Sequence, residues 1–207
     1  MANRFIRELE HHAPFTFVGA VTGIILMAVF RDLTYEPAYR AFYVLHPIHV
    51  FLSALVTASM YKNYKCSNGH ACPVWALLTV GYLGSVGIAT LSDSLIPYLG
   101  EVLLNMPHRH VHLGFIEEWW LVNPLAIAGI SVAFVRPTTK FPHAGHVLIS
   151  TWASLFHIIM ARGGPAGLWQ YAAVLVFLFL AVWLPCCISD IIFPLMFVNG
   201  KPGNHRE

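Results

Sequence analysis

The apolar residues of this chain fall into six blocks, and that blocking limits what it can fold into. A hydrocarbon core about 30 Å thick is crossed by roughly 20 apolar residues of α-helix. The blocks lie at about 14–30, 44–61, 74–98, 122–135, 143–161 and 168–198. No stretch between them is long and polar enough to form a separate soluble domain. Of the 207 residues, 11% are Asp, Glu, Lys or Arg and 57% are hydrophobic, whereas a soluble domain carries roughly 25% charged residues. A soluble chain of this length could not hide so much apolar surface behind a charged exterior. The expected product is an all-α integral membrane protein: one membrane domain over 1–207 with six transmembrane helices. The fourth block is short unless Trp119 and Trp120 form its interfacial end. The sixth is long, and Pro185 or Pro194 is placed to bend or break it.

The first ten residues, MANRFIRELE, are polar, and no small-residue cleavage site follows an isolated apolar run, so no cleavable signal peptide is expected. A net charge of +2, evenly spread, gives nucleic acid no electrostatic footprint. Six spans put both termini on one side. With them go eight basic residues (Arg4, Arg7, Lys62, Lys65, Arg136, Lys140, Lys201 and Arg206), against four on the other side (Arg31, Arg40, Arg109 and Arg162). Basic loops stay in the cytoplasm, so both termini are expected there, and the loop at 100–118 faces outward.

The chain also repeats itself. His46-Pro-Ile-His49-Val-Phe-Leu-Ser53 matches His143-Ala-Gly-His146-Val-Leu-Ile-Ser150. Leu91-Ser92-Asp93-Ser-Leu-Ile-Pro97 matches Ile188-Ser189-Asp190-Ile-Ile-Phe-Pro194. In both copies the first histidine lies 47 residues before the aspartate. A weaker third match pairs Pro14-x4-Gly19 with Pro124-x4-Gly129. The repeats run over about 12–99 and 119–198, three spans each. An odd number of spans forces the second copy to enter the bilayer from the opposite face, which is the inverted-repeat plan of many secondary transporters. Duplication alone explains apolar similarity. It explains less well why the retained identities are His, His, Ser, Asp and Pro.

Those identities carry chemistry. His46, His49 and Ser53 lie at i, i+3 and i+7 and share one helical face, as do His143, His146 and Ser150. Asp93 and Asp190 are the carboxylates placed well inside predicted spans. An ionised carboxylate costs at least ~2.5 kcal/mol at the centre of a membrane helix, so each should face the bundle interior with a partner. Two imidazoles and a carboxylate suit a divalent transition metal: Zn, Mn, Fe, Co or Ni. Ser53, Ser150, Ser92 and Ser189 are placed to hydrogen-bond behind the ligands and fix ring tautomers. Two sites at different depths are the simplest outcome, and convergence on one centre is the other. His157 falls at the outer end of its span, where it could join the outer site; Met60 is its repeat equivalent. His–Asp pairing also serves proton relays and plain helix–helix contacts.

His108, His110 and His112 in the outer loop could gather metal at an entrance, and an amphipathic headgroup loop is the competing reading. His11 and His12 precede the first span, within reach of an inner site. Cys66-x3-His70-x-Cys72 has too few ligands for a closed zinc site. Adjacent Cys186 and Cys187 read as small core residues. Pro97 and Pro194 could open their helices near the aspartates. No H-E-x-x-H, G-x-S-x-G or P-loop is present. The expected function is therefore secondary transport of divalent transition-metal ions, with proton exchange at the histidines. The alternative is a membrane metalloenzyme acting on a lipidic substrate. The partners expected are the bilayer and metal ions, with association of copies of the chain left open.

Overall fold

A computed structural model describes residues 2–65, 73–138, 140–188 and 193, with side chains at all of these except 2–9, 11, 12, 140–144 and 187. The chain is 84% helical, without a strand among the described residues. The helices are α1 (Ala2–Val29), α2 (Tyr35–Lys65), α3 (Val74–Leu103), a single turn α4 (Gly114–Glu117), α5 (Trp119–Val135), α6 (Lys140–Ala161) and α7 (Leu168–Cys187). Three apolar stretches are long enough to cross a membrane: Tyr35–Lys65, Val74–Leu103 and Leu168–Cys186. Shorter apolar helical stretches lie at Ala13–Val29, Trp119–Val135 and Gly145–Ala161.

Polarity is arranged inside out. Val18, Ile25, Val29, Val44, Leu83, Leu103, Val135, Leu168 and Val176 point outward, each more than half exposed. Ser53, Thr57, Ser85, Ser92, Asp93, Glu101, His146, Ser150 and His157 are buried. Water would reverse this preference, whereas a lipid environment rewards it. Trp75, Trp119 and Trp169 are exposed near the first residues of α3, α5 and α7, where indole rings sit at a membrane interface.

α2 is the central element, packed along α6 and α5. α1 lies against α6 and α7, and α5 lies against α2 and α3. One apolar core joins Ala20, Met27, Phe42, Leu155, Ile158, Val174 and Leu178, from α1, α2, α6 and α7. A second joins Ala54, Ala58, Leu77, Val80, Ile130 and Ala133, from α2, α3 and α5. Glycine sets the closest crossing: a Cβ at Gly129 would stand 2.4 Å from the Phe51 carbonyl oxygen and 3.0 Å from Ala54 Cβ. Only glycine fits there.

α3 differs from its expected form in length and in winding. It runs on to Leu103, five residues past the expected end. It contains two π-helical turns, Leu83–Gly87 and Leu91–Leu95. Such wide turns interrupt the regular hydrogen-bond ladder. The second ends just before Pro97, whose missing N–H would leave a gap in an unbroken α-helix. α5 includes Trp119 and Trp120, which lengthens the short fourth block to 17 residues.

Candidate metal centre

The Leu91–Leu95 π turn buries three consecutive residues, Ser92, Asp93 and Ser94. Asp93 has no exposed surface, and both of its oxygens are used. Oδ2 accepts from His46 Nδ1 at 2.9 Å and His49 Nδ1 at 2.7 Å. Oδ1 accepts from Ser92 Oγ at 2.7 Å and Ser150 Oγ at 2.8 Å. An ionised carboxylate only accepts, so both imidazoles donate to it from Nδ1. An ion held by both rings and Asp93 would have to take the place of these Nδ1 protons.

The two halves meet here. Ser150, from the second repeat, completes the shell of Asp93 from the first. The ring of His146 stacks on His49, centroids 5.7 Å apart and planes within 2°. Donor atoms of His46, His49 and Asp93 lie within 4.8 Å of one another, and so do those of His49, His146 and Cys186; all five residues are buried. The expected second cluster is described only through His146 and Ser150, since Asp190, Ser189 and the His143 side chain lie outside the described residues. The same holds for Cys66, His70 and Cys72, and for the side chains of His11 and His12. Ser53 itself is buried, one turn below His49 on α2.

On the other side of the centre the ionisable groups continue. His46 stacks on Phe42 at 5.2 Å, and Phe42 meets His157 edge-on at 5.4 Å. His157 Nδ1 donates to Glu101 Oε1 at 2.6 Å, and neither residue is more than 1% exposed. Among the described residues His157 Nε2 and Glu101 Oε2 have no hydrogen-bond partner. His157 then meets His112 edge-on at 5.3 Å. His112 Nδ1 donates to Glu117 Oε2 at 3.0 Å, and Tyr43 donates to the same oxygen. His110, His112 and Glu117 also hold donor atoms within 4.8 Å. His108 and His110 are exposed, His112 is not. A ladder of imidazoles and carboxylates thus descends from a solvent-facing loop to Asp93.

Electrostatics in the loop follow from this packing. Burial lowers the His112 imidazole below its ordinary value, and the Glu117 contact offsets only part of that. Burial pushes the Glu117 carboxyl up, but hydrogen bonds from Tyr43, His112 and the Leu113 amide outweigh it and leave it below the ordinary carboxylate range. The ring of His46 fits under α4 because position 114 is glycine. A Cβ there would lie 2.5 Å from His46 Cδ2 and 2.6 Å from Nε2.

Comparison with family models, curated proteins and solved structures finds no match. The site therefore has to be read from its own chemistry. Its contacts have hydrogen-bond lengths. A tetrahedral ion with bonds of about 2.0–2.2 Å would hold nitrogen and oxygen roughly 3.4 Å apart, so an ion would spread the histidines from Asp93 by about half an ångström and take over ring protons. Buried nitrogen, carboxylate and thiol donors, with hydroxyls behind them, suit a divalent transition metal.

Reading from sequence missed Glu101, which it assigned to the outer loop. The available signal was the apolar run around it, Pro97-Tyr-Leu-Gly-Glu101-Val-Leu-Leu104, in which one acid stands alone.

Proposed function

We propose that the chain is a secondary transporter of divalent transition-metal ions, with six transmembrane helices in two inverted repeats and both termini in the cytoplasm. The observation that carries this reading is the series of donor sets that share or adjoin members: His110/His112/Glu117 at the loop, His46/His49/Asp93 in the bundle, and His49/His146/Cys186 beyond it. A single reaction centre has no use for successive sites. An ion in transit needs each site to release it to the next, and a shared His49 supplies that hand-over. The His157–Glu101 pair stands between loop and centre, where it would carry positive charge inward, whether as metal ion or as proton.

Three observations support the inverted repeat. Two packing pairs map onto one another when α1, α2 and α3 are exchanged with α5, α6 and α7: α1 on α6 corresponds to α5 on α2, and α1 on α7 to α5 on α3. The matched glycines have matched neighbours. A Cβ at Gly19 would meet Thr151 at 3.2 Å, one at Gly129 would meet Ala54 at 3.0 Å, and Ala54 and Thr151 are repeat equivalents. Finally, Ile188, the equivalent of Leu91, is also in π conformation.

The test is flux. Purified protein in proteoliposomes should carry zinc or cobalt(II) down a gradient, and a His46→Ala/His49→Ala double variant should bind and carry at least tenfold less. Unchanged binding and unchanged flux in that variant would leave the histidines as helix-packing groups and end the transport reading.

A further inference from the structure

Cys186 reads from sequence as a small core residue, and part of its surroundings agrees. It packs with Val147 and Val182 and is 2% exposed. Its other neighbours do not belong to a plain core. Its sulfur lies within 4.8 Å of donor nitrogens on both His49 and His146. Those two rings come from different helices and are held parallel, face to face. Three elements thus bring one sulfur and two imidazoles to a point buried from solvent, on the far side of His49 from the His46 and Glu101 ladder.

We propose that Cys186, His49 and His146 form a second metal station, sharing His49 with the His46/His49/Asp93 set, and that its sulfur makes the protein select zinc-like ions over hard ones. The proposal rests on the transport reading and adds to it the class of ion carried. Around a tetrahedral ion, bonds of about 2.0 Å to nitrogen and 2.3 Å to sulfur place these donors roughly 3.3–3.5 Å apart. Binding replaces the thiol proton by the ion, and the proton leaves. A thiolate ligand favours zinc, cobalt(II) and cadmium, while magnesium and manganese prefer oxygen. Sharing has its own consequence. With His49 committed to Asp93 the first station is complete, and with His49 turned to His146 and Cys186 the second is, so an ion advances by exchange of one imidazole.

Cobalt(II) reports sulfur ligation directly, because a thiolate bound to it adds a near-ultraviolet charge-transfer band to the visible ligand-field bands. The protein is prepared with Cys66, Cys72 and Cys187 each changed to Ser and Cys186 retained, then titrated with cobalt(II) chloride in detergent. The expected result is both sets of bands at stoichiometric cobalt. Adding Cys186→Ser should remove the near-ultraviolet band, keep the visible ones and weaken cobalt binding about tenfold or more. Zinc should displace the cobalt at far lower concentration than manganese. Visible bands without the near-ultraviolet one in the Cys186-retaining protein would overturn the station and leave the transport reading resting on the His110/His112/Glu117 and His46/His49/Asp93 sets alone. Manganese displacing cobalt as readily as zinc would overturn the selectivity. No cobalt binding to the unmodified chain would overturn the transport reading and this proposal together.

Discussion

At the scale of single residues, Asp93 is decisive because it anchors both halves. Its four hydrogen bonds come from α2, from its own helix and from α6. Asp93→Asn keeps the shape. The amide oxygen can still accept from the histidines, and the new NH2 can donate to the Ser92 and Ser150 hydroxyls, which rotate to accept. Folding should therefore weaken by only about 1 kcal/mol, while the lost charge should lower metal affinity by well over 100-fold. Ser150→Ala removes one hydroxyl behind the site and should cost about tenfold, at the lower end of the 10–100-fold range for such partners. Unfolding in detergent and metal titration of the two variants check this order. Equal affinity losses would mean that the serine does more than orient the carboxylate. The clustering of His46 and His49 with Asp93 was legible in the sequence because ionisable residues inside apolar blocks have few reasons to be there. The Ser150–Asp93 bond was not. Helical periodicity shows which residues share a face of one helix, and says nothing of which face meets another helix.

At the scale of elements, the segment 106–118 is held by core burial of Met106, by the His108 amide on the Ala161 carbonyl and by titratable contacts around Glu117. His112 and Glu117 pair with each other, Tyr43 adds to Glu117, and the Leu113 amide donates to Glu117 Oε1 at 3.0 Å. Both ionisable groups have folded values below their ordinary ones. For the imidazole, the unfolded state binds protons more readily as pH falls below about 6.5, so stability falls with pH there. For the carboxylate, the contribution is present above its unfolded value and is lost as pH drops through its lower folded one. Both act in the same direction. Acidification from pH 7 to about 5.5 reaches only the first. Amide exchange in 106–118, corrected for its intrinsic rate, should rise over that interval while the core of α2 stays protected, and His112→Asn should flatten the response. An unchanged exchange rate would mean that the segment is held by Met106 and its backbone alone. Helix ends were the least legible part of the fold. α2 begins at Tyr35 and not near 44, because Tyr35–Arg40 is polar enough to hide helix outside the apolar block.

At the scale of the whole molecule, orientation decides which donor set an ion meets first. The loop that carries His110, His112 and Glu117 follows the last residues of α3, at the opposite end of that helix from Val74. On the proposed topology, which assigns eight basic residues to the side of the termini and four to the other, the His112 loop would face outward. Asn68→Cys in a chain without its native cysteines should then be labelled by an impermeant maleimide from the cytoplasmic face only. Labelling from outside would reverse the path, so that His112 would be where ions leave. Membrane character was legible because composition and block length constrain it directly. How the halves meet was not, since two clusters on separate helices are as compatible with separate depths as with the shared neighbourhood that His49 and His146 occupy.

The wide turn at Leu91–Leu95 also bears on ancestry. A π turn is what remains when one residue is inserted into an α-helix and the helix absorbs it locally. The chain is in the same conformation at Ile188, the matching position of the second half, whereas the Leu83–Gly87 turn has only regular α-helix opposite it in α7. If the halves are copies of one three-helix ancestor, the widened turn beside the aspartate came before the copying. The ancestor would then have paired with itself in the membrane, one molecule up and one down, and already carried its aspartate on a widened turn.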